Sequence, residues 1–460
     1  MAKYDVIVLG GGSAGSRAAK AASLAGARTA MINDGELGGL CILRGCMPTK
    51  TMLASAHAIH EAEHMDPLGA RLEGRVVVDF SRIMQRKDQL VKRFQNAKIG
   101  SIESADYEVL QGRGRFVEGP AIELDGRRLE ARAYVLATGS APTVLSIPGI
   151  EDVPLLTSDD VMKLTEPPRS LIVQGAGPIG LEFGQFFARI GSEVVLVNRS
   201  TLCSKYDAEA GTELQAALEQ EPRFRLLTPA IIERLRPEGS GLIATIRTDE
   251  GTQEHRADAL LMAAGRHAML DGLGLEEIGL QPSNGLLAHD ETMQTEIPQV
   301  YVAGDATGAY QVLHTSNQEG LVAGHNAAGG SPARKIDYRL KMQVVFTDPP
   351  YASVGPTPEE AEQAGRDVVI GRAKLAQTGR AITMGVEHGL WRLYACRSSG
   401  EILGASLLGP RADDVIHQVA IMMHFGAKVE QIAEMPWYHP TLSEVMLDLV
   451  RDIQRQRSGD

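Results

Sequence analysis

Residues 4–15 read YDVIVLGGGSAG and residues 170–180 read SLIVQGAGPIG. Each stretch is a short buried-strand pattern running straight into a glycine-rich turn. In the first, Gly10, Gly12 and Gly15 stand as GxGxxG; in the second, Gly175, Gly177 and Gly180 do. An Ala-rich helix pattern to about Ala25 and the strand ARTAMI follow the first, and a helix to about Ile190 and the strand EVVLV follow the second. Both copies end their second strand 23 residues past the first glycine, at Asn33 and Asn198. This is the βαβ unit that binds a dinucleotide. The first glycine permits the tight turn, the second lets backbone approach the pyrophosphate, and the third lets helix pack on strand. The helix N-terminus supplies N–H groups to the phosphate charge. One such motif is a weak signal; two in full strand–turn–helix–strand context predict two dinucleotides.

The rest of the chain sets bounds on this reading. At 460 residues it exceeds one ordinary core, so several domains are expected. Forty-nine glycines against 5% aromatics suit tight turns around cofactors. A net charge of −12 argues against nucleic acid, whose phosphates call for concentrated Lys and Arg. No apolar run reaches membrane-span length, and the N-terminus enters a strand pattern at once, which predicts a cytoplasmic protein with no membrane association. Four cysteines are too few for a disulfide-stapled scaffold. Two of them, Cys41 and Cys46, sit five residues apart in GGLCILRGCMPTK, a spacing that points to redox or metal chemistry. No second cysteine pair exists to complete a zinc site, so no metal is expected there. Cys203 and Cys396 read as small buried apolar side chains. His57, His60 and His64 fall at i, i+3 and i+7, which a partly buried helix face explains better than a metal site.

Between the repeats, ARAYVLATGSAPTV is a strand and turn containing Thr138 and Gly139; DALLMAAGRHA, containing Gly265 and Arg266, looks similar. VYVAGDAT is a further buried strand ending in Gly304 and Asp305. From about Ile336 the texture changes to strands and helices suggesting an antiparallel α+β module. The expected fold class is α/β, with two Rossmann-like dinucleotide-binding domains and a C-terminal α+β domain. Boundaries are placed to give 1–149, 150–270, 271–335 and 336–460.

The ordered set GGGSAG, GGLCILRGCMPTK, ATG, GAGPIGLEFG, AGR, VAGDAT, VVFTDPPYASVG and YHPTLSE resembles the class I pyridine nucleotide–disulfide oxidoreductases, from Tyr4 to about Ile453. That family includes dihydrolipoamide dehydrogenase, glutathione reductase and mercuric reductase. The resemblance implies an FAD domain in two segments (1–149 and 271–335), an inserted NAD(P) domain (150–270), and a dimerisation domain (336–460) that makes the protein a homodimer. It implies that Cys41 and Cys46 form a redox disulfide, Cys46 being the flavin-facing, charge-transfer thiolate and Cys41 the interchange thiol. It further implies that His439, oriented by Glu444, is the acid–base group contributed by the partner subunit. Lys50 resembles the lysine beside the hydride-accepting flavin nitrogen, with Glu182 as its partner. Asp305 matches the aspartate on the ribityl side of FAD, and His314 a histidine near the flavin ring.

Four departures qualify the match. A glutamate normally meets the FAD adenosine ribose where this chain has Asn33, followed by Asp34; an amide still hydrogen-bonds a hydroxyl. The same position in the second repeat is Asn198, followed by Arg199 and, nearby, Lys205. An acid there binds the free 2′-hydroxyl of NAD, whereas a guanidinium clamps a 2′-phosphate. The sequence therefore favours NADP(H), with NAD(H) left open. Arg44 inside the disulfide loop either depresses the thiol pKa values or points away. The C-terminus carries no terminal cysteine pair, which disfavours mercuric reductase and large thioredoxin reductase activities. The leading expectation is an NAD(P)H:disulfide oxidoreductase acting on a small or protein-bound dithiol or disulfide, lipoyl among them. The alternatives are a flavin-dependent metal-ion or quinone reductase of the same fold, or a dehydrogenase component docked in a multienzyme complex.

Overall fold

A computed structural model describes residues 3–459. The chain divides into two compact units. One comprises residues up to Thr51, Met84–Thr143 and Gly265–Asp337; the other comprises Met52–Ile83, Val144–Ala264 and Tyr338 onward.

The first unit is built on a five-stranded parallel sheet in the spatial order Val300–Val302, Ala133–Leu136, Val6–Leu9, Thr29–Asn33, Glu108–Gln111. Val6 to Leu9 are essentially solvent-free, as strands covered on both faces must be. The helices Ser13–Leu24 and Leu313–Ala327 cross at very short range. A Cβ on Gly320 would fall 2.3 Å from the Ala14 carbonyl oxygen, and one on Gly324 2.1 Å from that of Ala18. The alanines and glycines are therefore a packing requirement: nothing larger fits between the backbones. On the opposite face of the sheet lies a small antiparallel sheet, Arg115–Val117, Ala121–Leu124 and Arg127–Leu129, whose Phe116, Ile122 and Leu124 join the core of Ile7, Leu9 and Leu136.

The second unit repeats the device. Its parallel sheet runs Phe224–Leu227, Glu193–Val197, Ser170–Gln174, Ala259–Met262, Leu155–Leu156. A three-stranded antiparallel sheet, Ala230–Glu238, Gly241–Thr248 and Gly251–Ala257, is inserted before the strand Ala259–Met262. The C-terminal part of this unit holds a five-stranded antiparallel sheet made of Met342–Val345, Tyr351–Val354, Ile402–Leu408, Leu390–Cys396 and Val368–Lys374. The helices Ala412–His424 and Val445–Ser458 bury apolar faces against it, Val415, Ile416 and Val419 from one and Met446, Leu449 and Ile453 from the other.

The C-terminal sheet is tied to the helix Ala208–Leu218 by a buried charge network. Asp207 accepts from the Ala210 N–H at 3.1 Å, capping that helix, and from Tyr394 Oη at 3.1 Å. It also takes Arg392 Nη1 and Ser406 Oγ. The Asp207 side chain is 0% exposed. Burial and charge partners acting together fix the contact: removing either charge leaves the other stranded.

Candidate active site

The two glycine turns have the same internal logic. Gly10 has φ +108°, and a Cβ there would sit 2.1 Å from the Ala137 carbonyl oxygen; for Gly175, at φ +109°, the corresponding approach is 2.5 Å to Ala263. A Cβ on Gly15 would sit 1.8 Å from the Gly10 carbonyl oxygen, and one on Gly180 1.9 Å from that of Gly175. First and third glycines are thus demanded by the protein's own packing. The second ones are not. Gly177 has nothing within 4 Å of that position, and Gly12 only the Gly39 Cα at 3.9 Å. Open space facing a helix N-terminus, at the one glycine the fold does not require, is the cradle a dinucleotide pyrophosphate occupies. The chain therefore fits FAD at the first turn and a pyridine nucleotide at the second.

The two asparagines do the same job in both repeats. Asn33 Oδ1 accepts from the Gly11 N–H at 3.1 Å, and Asn198 Oδ1 from the Ala176 N–H at 3.1 Å. The amide nitrogen of Asn33 donates to the Gly35 carbonyl at 2.8 Å, and that of Asn198 to the Ser200 carbonyl. Their amides pin each glycine loop to the turn that follows it, and each amide keeps a second N–H and a second lone pair beyond these two bonds. Asp34, Arg199 and Lys205 are exposed at the rims of their respective turns.

Cys41 lies in the short helix Gly39–Leu43 and Cys46 opens the helix Cys46–Glu63. Pro48 falls in the first turn of that helix, where a missing N–H costs nothing. Both cysteines are free thiols here. The Cys41 thiol is pushed up by its hydrogen bond to Cys46 and by burial, while the Lys50 ammonium pulls it down. Arg44 is exposed. The cysteine segment sits on the first glycine turn: a Cβ on Gly39 would approach Gly12 Cα to 2.7 Å.

Asp305 belongs to a relay that sequence reading missed. Arg266 Nε donates to Ser140 Oγ at 2.8 Å, and Ser140 Oγ donates to Asp305 Oδ2 at 2.6 Å. Behind it, the fully buried Glu319 accepts from the Gly304 N–H at 2.7 Å. Thr138 Oγ1 donates to the Met269 carbonyl at 2.7 Å and Gly139 accepts from the Met269 N–H at 2.9 Å, which fixes the adjoining turn. His314 lies in the first turn of the helix Leu313–Ala327.

In the second unit, Glu182, Gln185 and Arg189 form a buried stripe at i, i+3 and i+7 on the helix Pro178–Arg189. Glu182 accepts from the Phe346 N–H at 3.1 Å, Gln185 exchanges hydrogen bonds with the Asp348 backbone at 2.8 Å, and Arg189 pairs with Glu221 at 2.6 Å and Asp348 at 3.0 Å. His439 Nδ1 meets Glu444 Oε2 at 2.9 Å, with the imidazole 77% exposed and the carboxylate 21%. A carboxylate behind an outward-facing imidazole sets its orientation. His60 stacks on His64 at 4.0 Å and lies 3.9 Å from Glu221. Among the described residues no metal-ligating group of three or more assembles. Cys396 is buried, whereas Cys203 is only partly so, at φ +50° with its thiol pushed up to about 12 by burial. No helix among the described residues is long and apolar enough to cross a membrane.

Comparison with known proteins agrees with this geometry. The pyridine nucleotide-disulphide oxidoreductase family matches residues 4–320, and the dimerisation domain of the same family matches residues 342–450. The mercuric reductase of Streptomyces lividans is 34% identical over 96% of this chain and 94% of its own. The dihydrolipoyl dehydrogenase of Chlamydia muridarum is 32% identical over 96% of this chain and 95% of its own. The solved structure of the HOCl-induced flavoprotein disulfide reductase RclA from Escherichia coli superposes with a TM-score of 0.84 at 26% identity, covering 97% of this chain and 99% of that one. Twin nucleotide cradles, a vicinal thiol pair and a matching dimerisation domain place the chain in the pyridine nucleotide-disulphide oxidoreductase family, as an FAD-dependent enzyme.

Proposed function

We propose that this enzyme draws electrons from NADPH and delivers them through Cys46 and Cys41 to a small or protein-bound disulfide in the cytoplasm. Lipoyl groups are among the substrates this reading admits. The single observation that carries it is the Cys41–Cys46 hydrogen bond beside the first glycine turn, which holds the two sulfurs together and raises the Cys41 thiol. Bound FAD supplies a two-electron carrier between the nicotinamide and the sulfur pair. Gly12 and the N-terminus of the helix Ser13–Leu24 would hold its pyrophosphate, with Asp305, steadied by Ser140, at the ribityl chain. Gly177 and the N-terminus of the helix Pro178–Arg189 would hold the nicotinamide dinucleotide. Asn198 removes the carboxylate that would repel a 2′-phosphate, and the exposed Arg199 and Lys205 would attract one.

In this account Cys41 exchanges with substrate and Cys46 faces the flavin. Lys50 and Glu182 set the charge around the flavin and nicotinamide. His439, oriented by Glu444, takes and returns the Cys41 proton across the dimer. The division 1–149, 150–270, 271–335 and 336–460 belongs to the same reading. Anaerobic titration with NADPH and NADH separately tests it: NADPH bleaches the flavin at stoichiometric amounts and NADH lags. Equal or faster reduction by NADH overturns the nucleotide assignment.

A second reading draws support from the mercuric reductase likeness and from RclA, which was solved as a Cu(II) complex. In it, the flavin passes electrons to a metal ion or a quinone and the cysteines are accessory groups. Cys41→Ser separates the two: it abolishes disulfide turnover in the first reading and leaves quinone or metal-ion reduction by the flavin largely intact in the second.

A further inference from the structure

Both cysteines lie between Leu37 and Thr51, and one helix, Phe80–Glu103, holds a backbone carbonyl at each end of that stretch. Gln95 Nε2 donates to the Leu37 carbonyl at 3.1 Å. Arg86 Nη1 donates to the Thr51 carbonyl at 2.8 Å. The first bond falls just before a turn made by Gly38, at φ +138°, and Gly39, at φ +71°, which leads into the helix Gly39–Leu43 that carries Cys41. Glycine populates positive and negative φ about equally, so two adjacent glycines do not by themselves fix the direction in which the chain leaves the turn. A bond to the carbonyl that precedes them does. The second bond falls on the helix that Cys46 opens. The start of that helix is tied internally, with Thr49 Oγ1 donating to the Gly45 carbonyl and Thr51 Oγ1 to the Met47 carbonyl, each at 2.8 Å. Gln95 thus holds the turn that delivers Cys41, and Arg86 holds the helix that presents Cys46.

We propose that Gln95 and Arg86 are positioning residues for the sulfur chemistry, a clamp that keeps Cys41 within reach of Cys46 and sets how readily the pair closes to a disulfide. The inference rests on the reading of Cys41 and Cys46 as the redox pair. Disulfide geometry is narrow, so every backbone arrangement that carries the two sulfurs apart must be given up when the bond forms. Holding both flanks removes many of those arrangements in advance and raises the effective concentration of one thiol at the other. The same restriction favours the step in which Cys46 displaces a substrate thiol from Cys41. Measured against glutathione, the reaction balances. The S–S bond of glutathione disulfide breaks and the Cys41–Cys46 bond forms. The two cysteine protons leave with the two glutathione thiols, so the protein pair is oxidised by two electrons and glutathione disulfide reduced by two. A hydrogen bond of this kind is worth about 2- to 10-fold in an equilibrium constant.

The test equilibrates the FAD-loaded enzyme with mixtures of reduced and oxidised glutathione, traps free thiols with N-ethylmaleimide, and reads the Cys41–Cys46 disulfide by peptide mass spectrometry. Gln95→Met and Arg86→Met remove the donors and keep an apolar stem; Gln95→Lys and Arg86→Lys keep a donor. Thermal unfolding and flavin content are measured alongside. Each Met variant should move the glutathione equilibrium toward the dithiol by about 2- to 10-fold, and each Lys variant should return it toward wild type. The two positions are separate, so a variant that fails to fold at one leaves the other to decide. Met variants that unfold earlier but titrate as wild type overturn the proposal, because the bonds then serve stability alone. Lys variants displaced as far as the Met variants overturn it too. A wild type that forms no Cys41–Cys46 disulfide at any glutathione ratio defeats the redox-pair reading, and the clamp with it; a wild type that titrates beside unmoved Met variants defeats the clamp alone.

Discussion

Gly177→Ala and Gly180→Ala add the same methyl group to one turn of one helix, three residues apart, and should do opposite things. At Gly177 the backbone is extended, with φ −75° and ψ 179°, and nothing lies within 4 Å of the new carbon. An alanine is sterically free there and loses less chain entropy on folding, so the protein should gain about 0.4–1 kcal/mol. At Gly180 the new carbon would sit 1.9 Å from the Gly175 carbonyl oxygen, a distance no relaxation of side chains relieves. Overpacking of this kind costs about 1–3 kcal/mol or more, and it displaces the turn as well. The nucleotide inverts the ranking for Gly177: a methyl in the cradle blocks the pyrophosphate, and a 10- to 100-fold rise in KM corresponds to about 1.4–2.7 kcal/mol of lost binding. The assay pairs thermal unfolding of the purified flavoprotein with KM for NADPH. Gly177→Ala should unfold no earlier than wild type, keep its flavin, and bind NADPH 10- to 100-fold worse. A Gly177→Ala enzyme with unchanged KM would refute the cradle argument, as would one that unfolds as early as Gly180→Ala.

Two further outcomes follow from the buried charges of the second unit. Asp207→Ala strands Arg392, removes hydrogen bonds to Tyr394 and Ser406, and uncaps the helix Ala208–Leu218. It should cost about 3–5 kcal/mol, read as a lower urea midpoint in the fluorescence of Trp391 and Trp437, the chain's two tryptophans. Pairing an Asp207 replacement with Arg392→Met should recover much of the loss, and failure to do so would mean the charges are not coupled. His60 is driven down to about 4 by burial and by Arg189. Its unfolded value is higher, so between about pH 6.5 and 4 the unfolded chain binds the extra proton and stability falls as pH falls. The loss is complete near the folded value and absent above the unfolded one. His60→Gln should flatten that limb of the stability–pH curve; an unchanged slope would remove His60 as its cause.

Much of the architecture was legible because it is local. Each strand–glycine–helix unit is specified within about 30 residues, and its spacing recurs unchanged in the second copy. His57 and His60 lie partly buried on one helix as their spacing suggested, whereas the helix ends at Glu63 and His64 falls exposed just beyond it. The inserted sheet Ala230–Ala257 went unread although its hairpin turns at Gly239 and Gly251 are in plain sequence; its strands carry many charged residues and pack one face only. The Arg266–Ser140–Asp305 relay could not be read at all, because it joins residues 126 and 165 positions apart. Ser140, directly after ATG, and Glu319, in the QEG run, carried no local signal beyond their motifs. The twin asparagines were read by position as cofactor contacts; that they also pin the glycine loops, Asn33 to Gly11 and Gly35 and Asn198 to Ala176 and Ser200, went unread because the partners lie across the turn.

Counting reactive thiols in the oxidised and NADPH-reduced enzyme, with the modified peptides identified by mass spectrometry, tests the relay most directly. Two additional thiols should become reactive on reduction, on the peptides bearing Cys41 and Cys46, while Cys203 and Cys396 are unchanged. An oxidised enzyme in which both Cys41 and Cys46 already react in full, with no increase on reduction, would contradict electron transfer through this pair.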